Sequence, residues 1–192
     1  LDMAIMLGWW TVDGPGARAI RNAAPASITE IGGPFTMTDQ RGRTITDQDI
    51  RGKPTMMFFG FTSCPDVCPT TLSDMTGWLE ALGPASEKIN AVFVSVDPER
   101  DTVEQMARYL SLFDPRILGL TGTPAQLEQM ARNYRFYYRR VPLDGGGYTM
   151  DHTAMVYLLD RDGRFTSTID YHENRQKALP KLRRLLGAGS AG

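Results

Sequence analysis

The chain has 192 residues, enough for one domain with a sizeable core and short for two. Hydrophobic residues make up 42% and charged residues 22%, as in ordinary soluble globular proteins, and the formal net charge of -1 argues against a general nucleic-acid binder. Two cysteines, four positions apart, are too few and too close for a scaffold of structural disulfides, and they read instead as metal ligands or a redox pair.

Leu1 to Trp10 (LDMAIMLGWW) is apolar but interrupted by Asp2, and it is about half the ~20 residues a membrane span needs. It lacks a positively charged start and a small-residue cleavage site. It is read as the end of a membrane anchor or the segment just after one, with a short amphipathic lead-in to the body as the alternative. Residues 11–33, rich in Gly, Ala and Pro, extend this linker, and the folded body is expected over residues 34–186. The final residues, 187–192, small and polar, read as a disordered tail.

Within the body, Phe35–Thr38 and Arg43–Thr46 flank a turn and predict a hairpin. Thr55–Phe61 (TMMFFGF) is a continuous apolar run, as in a strand covered on both faces. Both cysteines follow it. A helix is expected next, with Pro69 in its first turn, Leu72, Met75, Leu79 and Leu82 on its apolar face, and Gly83-Pro84 ending it. Ile89–Val96 is a second buried strand. Asp101, with Glu104 three residues on, predicts a capped helix carrying Val103, Met106, Ala107 and Leu110. A short strand over Ile117–Leu120 precedes a helix opened by Thr123, Pro124 and Gln126. Tyr137–Val141 reads as a strand and Gly145-Gly146-Gly147 as a flexible loop. Thr153–Leu159 and Arg164–Ile169 form a hairpin across Asp160–Gly163, and a last helix runs from about Asn174 to Leu186. Strands alternating with helices imply an α/β layered sheet. The closing hairpin and helix, with cysteines after the first buried strand, point to a thioredoxin-like fold with a central mixed sheet flanked by helices and an N-terminal β-hairpin.

Cys64-Pro65-Asp66-Val67-Cys68-Pro69 lies where a strand ends and a helix starts, and a helix N-terminus favours thiolate over thiol. If helical, residues at i and i+4 hold their Cβ atoms about 5–6 Å apart. A relaxed disulfide needs about 3.5–4.5 Å. The spacing therefore leans toward two bonds of about 2.3 Å to one soft metal, with redox chemistry still open. A third ligand must come from His152 or His172, the two histidines of the chain. His152, ahead of a strand whose entry passes the cysteine loop in this fold, completes a Cys2His set suited to copper, with zinc also compatible; a purely structural role is the alternative. His172 reads as a surface or capping residue. The methionines Met56, Met57, Met75, Met106 and Met130 fall on apolar faces and read as core.

The run Gly60-Phe61-Thr62-Ser63-Cys64-Pro65-Asp66-Val67-Cys68-Pro69-Thr70-Thr71-Leu72 closely resembles the signature of the Sco/SenC family. So do Val94–Thr102 (VSVDPERDT), Asp151-His152-Thr153-Ala154, Gly33-Pro34-Phe35 and Ile50-Arg51-Gly52-Lys53-Pro54. The resemblance covers roughly residues 30–186. It implies a membrane-anchored, thioredoxin-like monomer that binds copper, as Cu(I) or Cu(II), through Cys64, Cys68 and His152. The expected partner is the binuclear Cu-A domain of cytochrome c oxidase subunit II, to which it delivers copper, whose cysteines it reduces, or both. A thioredoxin-like reductant and another copper donor are the further partners implied. The implied location is the periplasmic face of the bacterial inner membrane, or the mitochondrial intermembrane space. Asp97, in the Val-Asp-Pro motif, is placed near the site, with capping the loop before the next helix as the alternative.

The chief rival is a thiol–disulfide oxidoreductase in which Cys64 and Cys68 attack and resolve while copper binding is incidental. A peroxidase of the peroxiredoxin type would need Pro and Thr where Met57 and Phe61 stand. A structural zinc module is disfavoured because two Cys and one His do not close a four-ligand site.

Overall fold

The computed structural model describes residues 30–187; the expected membrane-proximal segment before residue 30 and the tail after 187 lie outside the described residues. No helix of the described residues is long and apolar enough to cross a membrane.

The expected hairpin is present. Strands β1 (Thr36–Asp39) and β2 (Thr44–Thr46) pair antiparallel, Thr36 opposite Thr46. The Asp39 carboxylate closes the turn by accepting the N–H groups of Arg41 at 2.9 Å and Arg43 at 2.8 Å. A four-residue helix, α1 (Asp47–Ile50), follows; it is too short for periodicity to reveal it. Strand β3 (Thr55–Gly60) is buried at every position, which its unbroken apolar run requires. Helix α2 (Val67–Leu82) and a 3-10 turn (Gly83–Lys88) lead to β4 (Asn90–Ser95). Next come α3 (Val103–Leu110), β5 (Ile117–Thr121) and α4 (Pro124–Tyr134). Strands β8 (Val156–Leu159) and β9 (Phe165–Ile169) and helix α5 (Arg175–Gly187) close the domain.

The main sheet has seven strands in the order β2-β1-β5-β4-β3-β8-β9. β3, β4 and β5 run parallel, and β8 joins β3 antiparallel. This is the mixed sheet of a thioredoxin-like domain, with β3, between β4 and β8, carrying the cysteine loop from its C-terminal end. Met56, Met57, Met75, Met106 and Met130 are all fully buried, so their thioethers serve packing.

Two expectations are corrected. Asp101 does not cap α3; Thr102 does, its Oγ1 accepting the Gln105 N–H at 3.2 Å. The Asp101 carboxylate turns inward instead. The closing strand begins at Val156 rather than Thr153, because the preceding residues form a strand of their own. Strands β6 (Tyr138–Pro142) and β7 (Tyr148–His152) pair as a two-stranded sheet detached from the main one. Neither contains a fully buried residue; β6 matches the strand expected over Tyr137–Val141, while β7 was not expected. Gly145, Gly146 and Gly147 make the turn between them with φ of +84°, +103° and +77°, which other residues rarely adopt.

Gly60 closes β3 under the cysteine loop. A Cβ there would stand 2.6 Å from Cys68 Sγ and 2.9 Å from Phe93 Cε2. Gly60→Ala should therefore cost about 1–3 kcal/mol through overpacking. A urea denaturation midpoint unchanged from that of the parent would contradict this close packing.

Candidate metal centre

The cysteine loop begins where β3 stops. The Cys64 N–H donates to the Phe61 carbonyl at 3.2 Å, turning the chain. The helix starts only at Val67, so Cys64 lies outside it and the premise of one helical turn spanning both cysteines does not hold. Asp66, at the cap position, makes no side-chain cap bond. Cys64 Sγ takes that part, accepting the Cys68 N–H at 3.4 Å. Cys68, in the first turn of α2, is fully buried, and Cys64 is half-buried; both are free thiols.

His152 arrives from the other side as the last residue of β7. Its ring stands edge-on to Phe58 (centroids 6.2 Å apart) and Phe61 (5.6 Å). Nδ1 lies 2.8 Å from the Thr153 carbonyl. A carbonyl only accepts, so Nδ1 carries the proton and the Nε2 lone pair is left for a ligand role. That nitrogen points at the sulfurs, 3.7 Å from Cys68 Sγ.

Cys64, Cys68 and His152 thus present three ligand atoms within 4.8 Å of one another, the one such group of Cys, His, Asp or Glu among the described residues. A trigonal ion with bonds of about 2.3 Å to sulfur and about 2.0 Å to nitrogen requires edges of roughly 3.7–4.0 Å. One edge already has that length, and the donors fit a soft metal.

The two sulfurs are electrostatically unequal. Hydrogen bonding from the Cys68 thiol holds the Cys64 pKa down at about 4, aided by the N–H groups of Cys68 and Asp66, against the opposing effect of burial. Cys68 is pushed up, first by that same bond to Cys64 and then by its burial. Cys64 is the thiolate and Cys68 keeps the proton. A metal that engages both sulfurs must displace that proton.

Asp101 holds the loop in place. Fully buried, it accepts from the Thr62 N–H (3.0 Å), the Thr62 hydroxyl (2.6 Å) and the Ser95 hydroxyl (2.6 Å), so it ties the cysteine loop to the end of β4. Burial, partly offset by these bonds, raises its pKa. The hydroxyl-bearing neighbours Thr62 and Ser95 were the only trace of this in the sequence.

Asp97 is buried and caps nothing. It pairs with Arg100 Nε and accepts the Tyr148 hydroxyl at 2.8 Å. Its link to the site is indirect: Arg100 lies over Phe61, 5.9 Å from the ring centroid, and Phe61 packs on His152. Tyr148 and Arg100 were not singled out from the sequence. His172 is exposed, faces Asp74 at 3.3 Å, and is not part of the cluster.

A mixed-sheet thioredoxin-like domain with two thiols and an imidazole gathered at the end of an interior buried strand defines a thiol-based metal-site class. The SCO1/SenC family model matches residues 23–187, and the chain belongs to that family. It is 39% identical over 173 residues to the mitochondrial Protein SCO2 homolog of Bos taurus, covering 88% of this chain and 63% of the bovine one. It is 37% identical over 171 residues to the mitochondrial Protein SCO2 of Saccharomyces cerevisiae, covering 87% of this chain and 56% of the yeast one. The chain therefore spans roughly three-fifths of the length of these relatives. Among solved structures, Bradyrhizobium japonicum ScoI with copper bound is 51% identical, with TM-score 0.76 over 81% of this chain and 99% of that one. Yeast Sco1 with copper bound is 32% identical, with TM-score 0.75 over 82% of this chain and 88% of that one.

Folding lowers the Cys64 pKa from the usual value of about 8.5, so its thiolate stabilises the fold above that pH, and the contribution fades as pH falls toward about 4. In the metal-free protein, thiolate absorbance at 240 nm should titrate near pH 4, and iodoacetamide should modify Cys64 at pH 6 while sparing Cys68. A midpoint near pH 8 would overturn the asymmetry.

Proposed function

We propose that this chain is a copper chaperone in which Cys64, Cys68 and His152 hold the ion, and that it delivers copper to the Cu-A domain of cytochrome c oxidase subunit II during assembly. Copper is the cargo. The observation that carries this reading is the convergence of two sulfurs and one imidazole nitrogen within 4.8 Å. Support comes from Bradyrhizobium japonicum ScoI, Arabidopsis thaliana ScoI and yeast Sco1, each solved with copper bound. BsSco, which at 21% identity shares the fold, is a member of the Sco family of cytochrome c oxidase assembly proteins. The body over residues 34–186 acts as the copper-binding domain, as a monomer.

The chain's residues divide the work. Cys68 is held from behind by packing, His152 stands on the β6–β7 hairpin, and Cys64 offers the less buried sulfur at the rim. An incoming partner thiolate displaces the ligands one at a time from that open side, so the ion is never released into water. The proposed location is the periplasmic face of a bacterial inner membrane, reached through an N-terminal anchor, with the mitochondrial intermembrane space as the alternative; the relatives include mitochondrial and Rickettsia proteins.

A second reading rests on the accessible Cys64 thiolate beside a protonated, buried Cys68. This is an attacking and a resolving thiol. Cys64 attacks a partner disulfide and forms a mixed disulfide. Cys68, losing its proton, then attacks Cys64, so the partner leaves as a dithiol and the two electrons come from the Cys64–Cys68 pair. A thioredoxin-like reductant would restore it, and another copper donor would load it.

Titration of the reduced protein with Cu(I) and Cu(II), followed by mixing with a Cu-A domain, tests both readings. One equivalent should bind. His152→Ala should weaken Cu(II) binding more than the ten- to hundredfold typical of losing an outer partner, while sparing disulfide reduction. Copper affinity unchanged by that substitution would refute the Cys2His site; rapid reduction of the Cu-A disulfide without metal transfer would select the reductase.

A further inference from the structure

We infer that Tyr148, clamped by Asp97 and Arg100, is the positioning residue that holds His152 at the sulfur pair. The inference rests on the copper reading above for its meaning, but the clamp itself is visible in the metal-free chain.

His152 reaches the site on a hairpin that the main sheet does not hold. β6 and β7 share no ladder with the other seven strands, and a lone two-stranded hairpin is marginal in water. Something else must fix it. On β7 the residues Tyr148, Met150 and His152 share one face, because strand side chains alternate. Met150 packs against the core and His152 meets the sulfurs. Tyr148 sits at the far end, roughly 13 Å away at the usual strand rise.

Among the described residues, polar ties from this end to the body of the domain go to one short segment, Asp97–Arg100. The Tyr148 hydroxyl donates to Asp97 Oδ1 at 2.8 Å. Arg100 Nη1 donates to the Tyr148 carbonyl at 2.9 Å. Arg140, on β6, pairs with Glu99. The Tyr148 ring lies between two guanidinium groups, Arg100 Cζ at 3.8 Å and Arg140 Cζ at 3.9 Å from its centroid. Two such groups cannot occupy one face at that distance, so they stack on opposite sides. Asp97 and Arg100 neutralise each other while binding the same tyrosine from its hydroxyl and its backbone. Arg100 also covers Phe61, the ring that packs on His152. The segment therefore grips both ends of the histidine's support.

The clamp sets how often the third ligand is in place, and so how long the ion stays. Tyr148→Phe keeps the stacked ring and removes only the hydroxyl bond to a charged carboxylate. In the metal-free protein, amide exchange over residues 149–152 should quicken while β3 stays protected. Cu(II) affinity should fall about tenfold, the effect of losing one charge-assisted hydrogen bond. In a His152→Ala background the same substitution should change affinity less than about twofold, because its effect runs through the imidazole. An equal loss in both backgrounds, or unchanged exchange over 149–152, overturns the clamp. If His152→Ala itself leaves copper binding intact, the copper reading fails instead, and the exchange result alone decides the clamp.

Discussion

Where an oxygen ordinarily closes the first turn of a helix, a sulfur does so here. Cys64 Sγ takes the N–H of Cys68, and with it the partial positive charge of the α2 terminus. The hydrogen bond between the two side chains, with that N–H contact as a lesser aid, orders the two thiols, one ionised at the rim and one protonated in the interior. Much of the surrounding structure serves that arrangement. β3 ends on a glycine so that Cys68 can sit against the backbone. Asp101 fastens Thr62, two residues before Cys64, to the end of β4.

The third donor comes by a different route. The sulfurs ride on the rigid sheet and helix, whereas the imidazole rides on an appended hairpin. The two supports meet through aromatic edges at Phe58 and Phe61 and through the ion-paired segment after β4. A site built from two separately held halves can vary the reach of one without disturbing the other.

The central strands were legible as unbroken apolar runs, and the four longer helices by their 3.6-residue spacing, because those patterns report burial directly. Leu127, Met130, Ala131 and Tyr134 are buried along α4 as their spacing requires. Cys64, Cys68 and His152 were legible as a set through motif likeness, and the geometry brings them together. Strand β7 was not legible, since Tyr148–His152 is short, contains no fully buried residue and follows a glycine run, so His152 was expected at a loop junction rather than on a strand. Asp101 was misread as a cap because Asp-Thr offers two adjacent candidates, and only tertiary packing decides that Thr102 turns to the helix and Asp101 to the core. The helical spacing argument for the cysteines reached a metal site from a premise the chain does not satisfy, since Cys64 precedes the helix.

The tight seat beneath Cys68 has one further consequence. With the Gly60 backbone against it, that buried sulfur has little room to retreat toward β3. In the chaperone proposed above, a change in bond length or coordination of the cargo would fall on Cys64 at the rim and on the hairpin that bears His152. On that reading the site would work as a vice with one fixed jaw: the buried sulfur would set where the ion sits, and the other two ligands when it leaves.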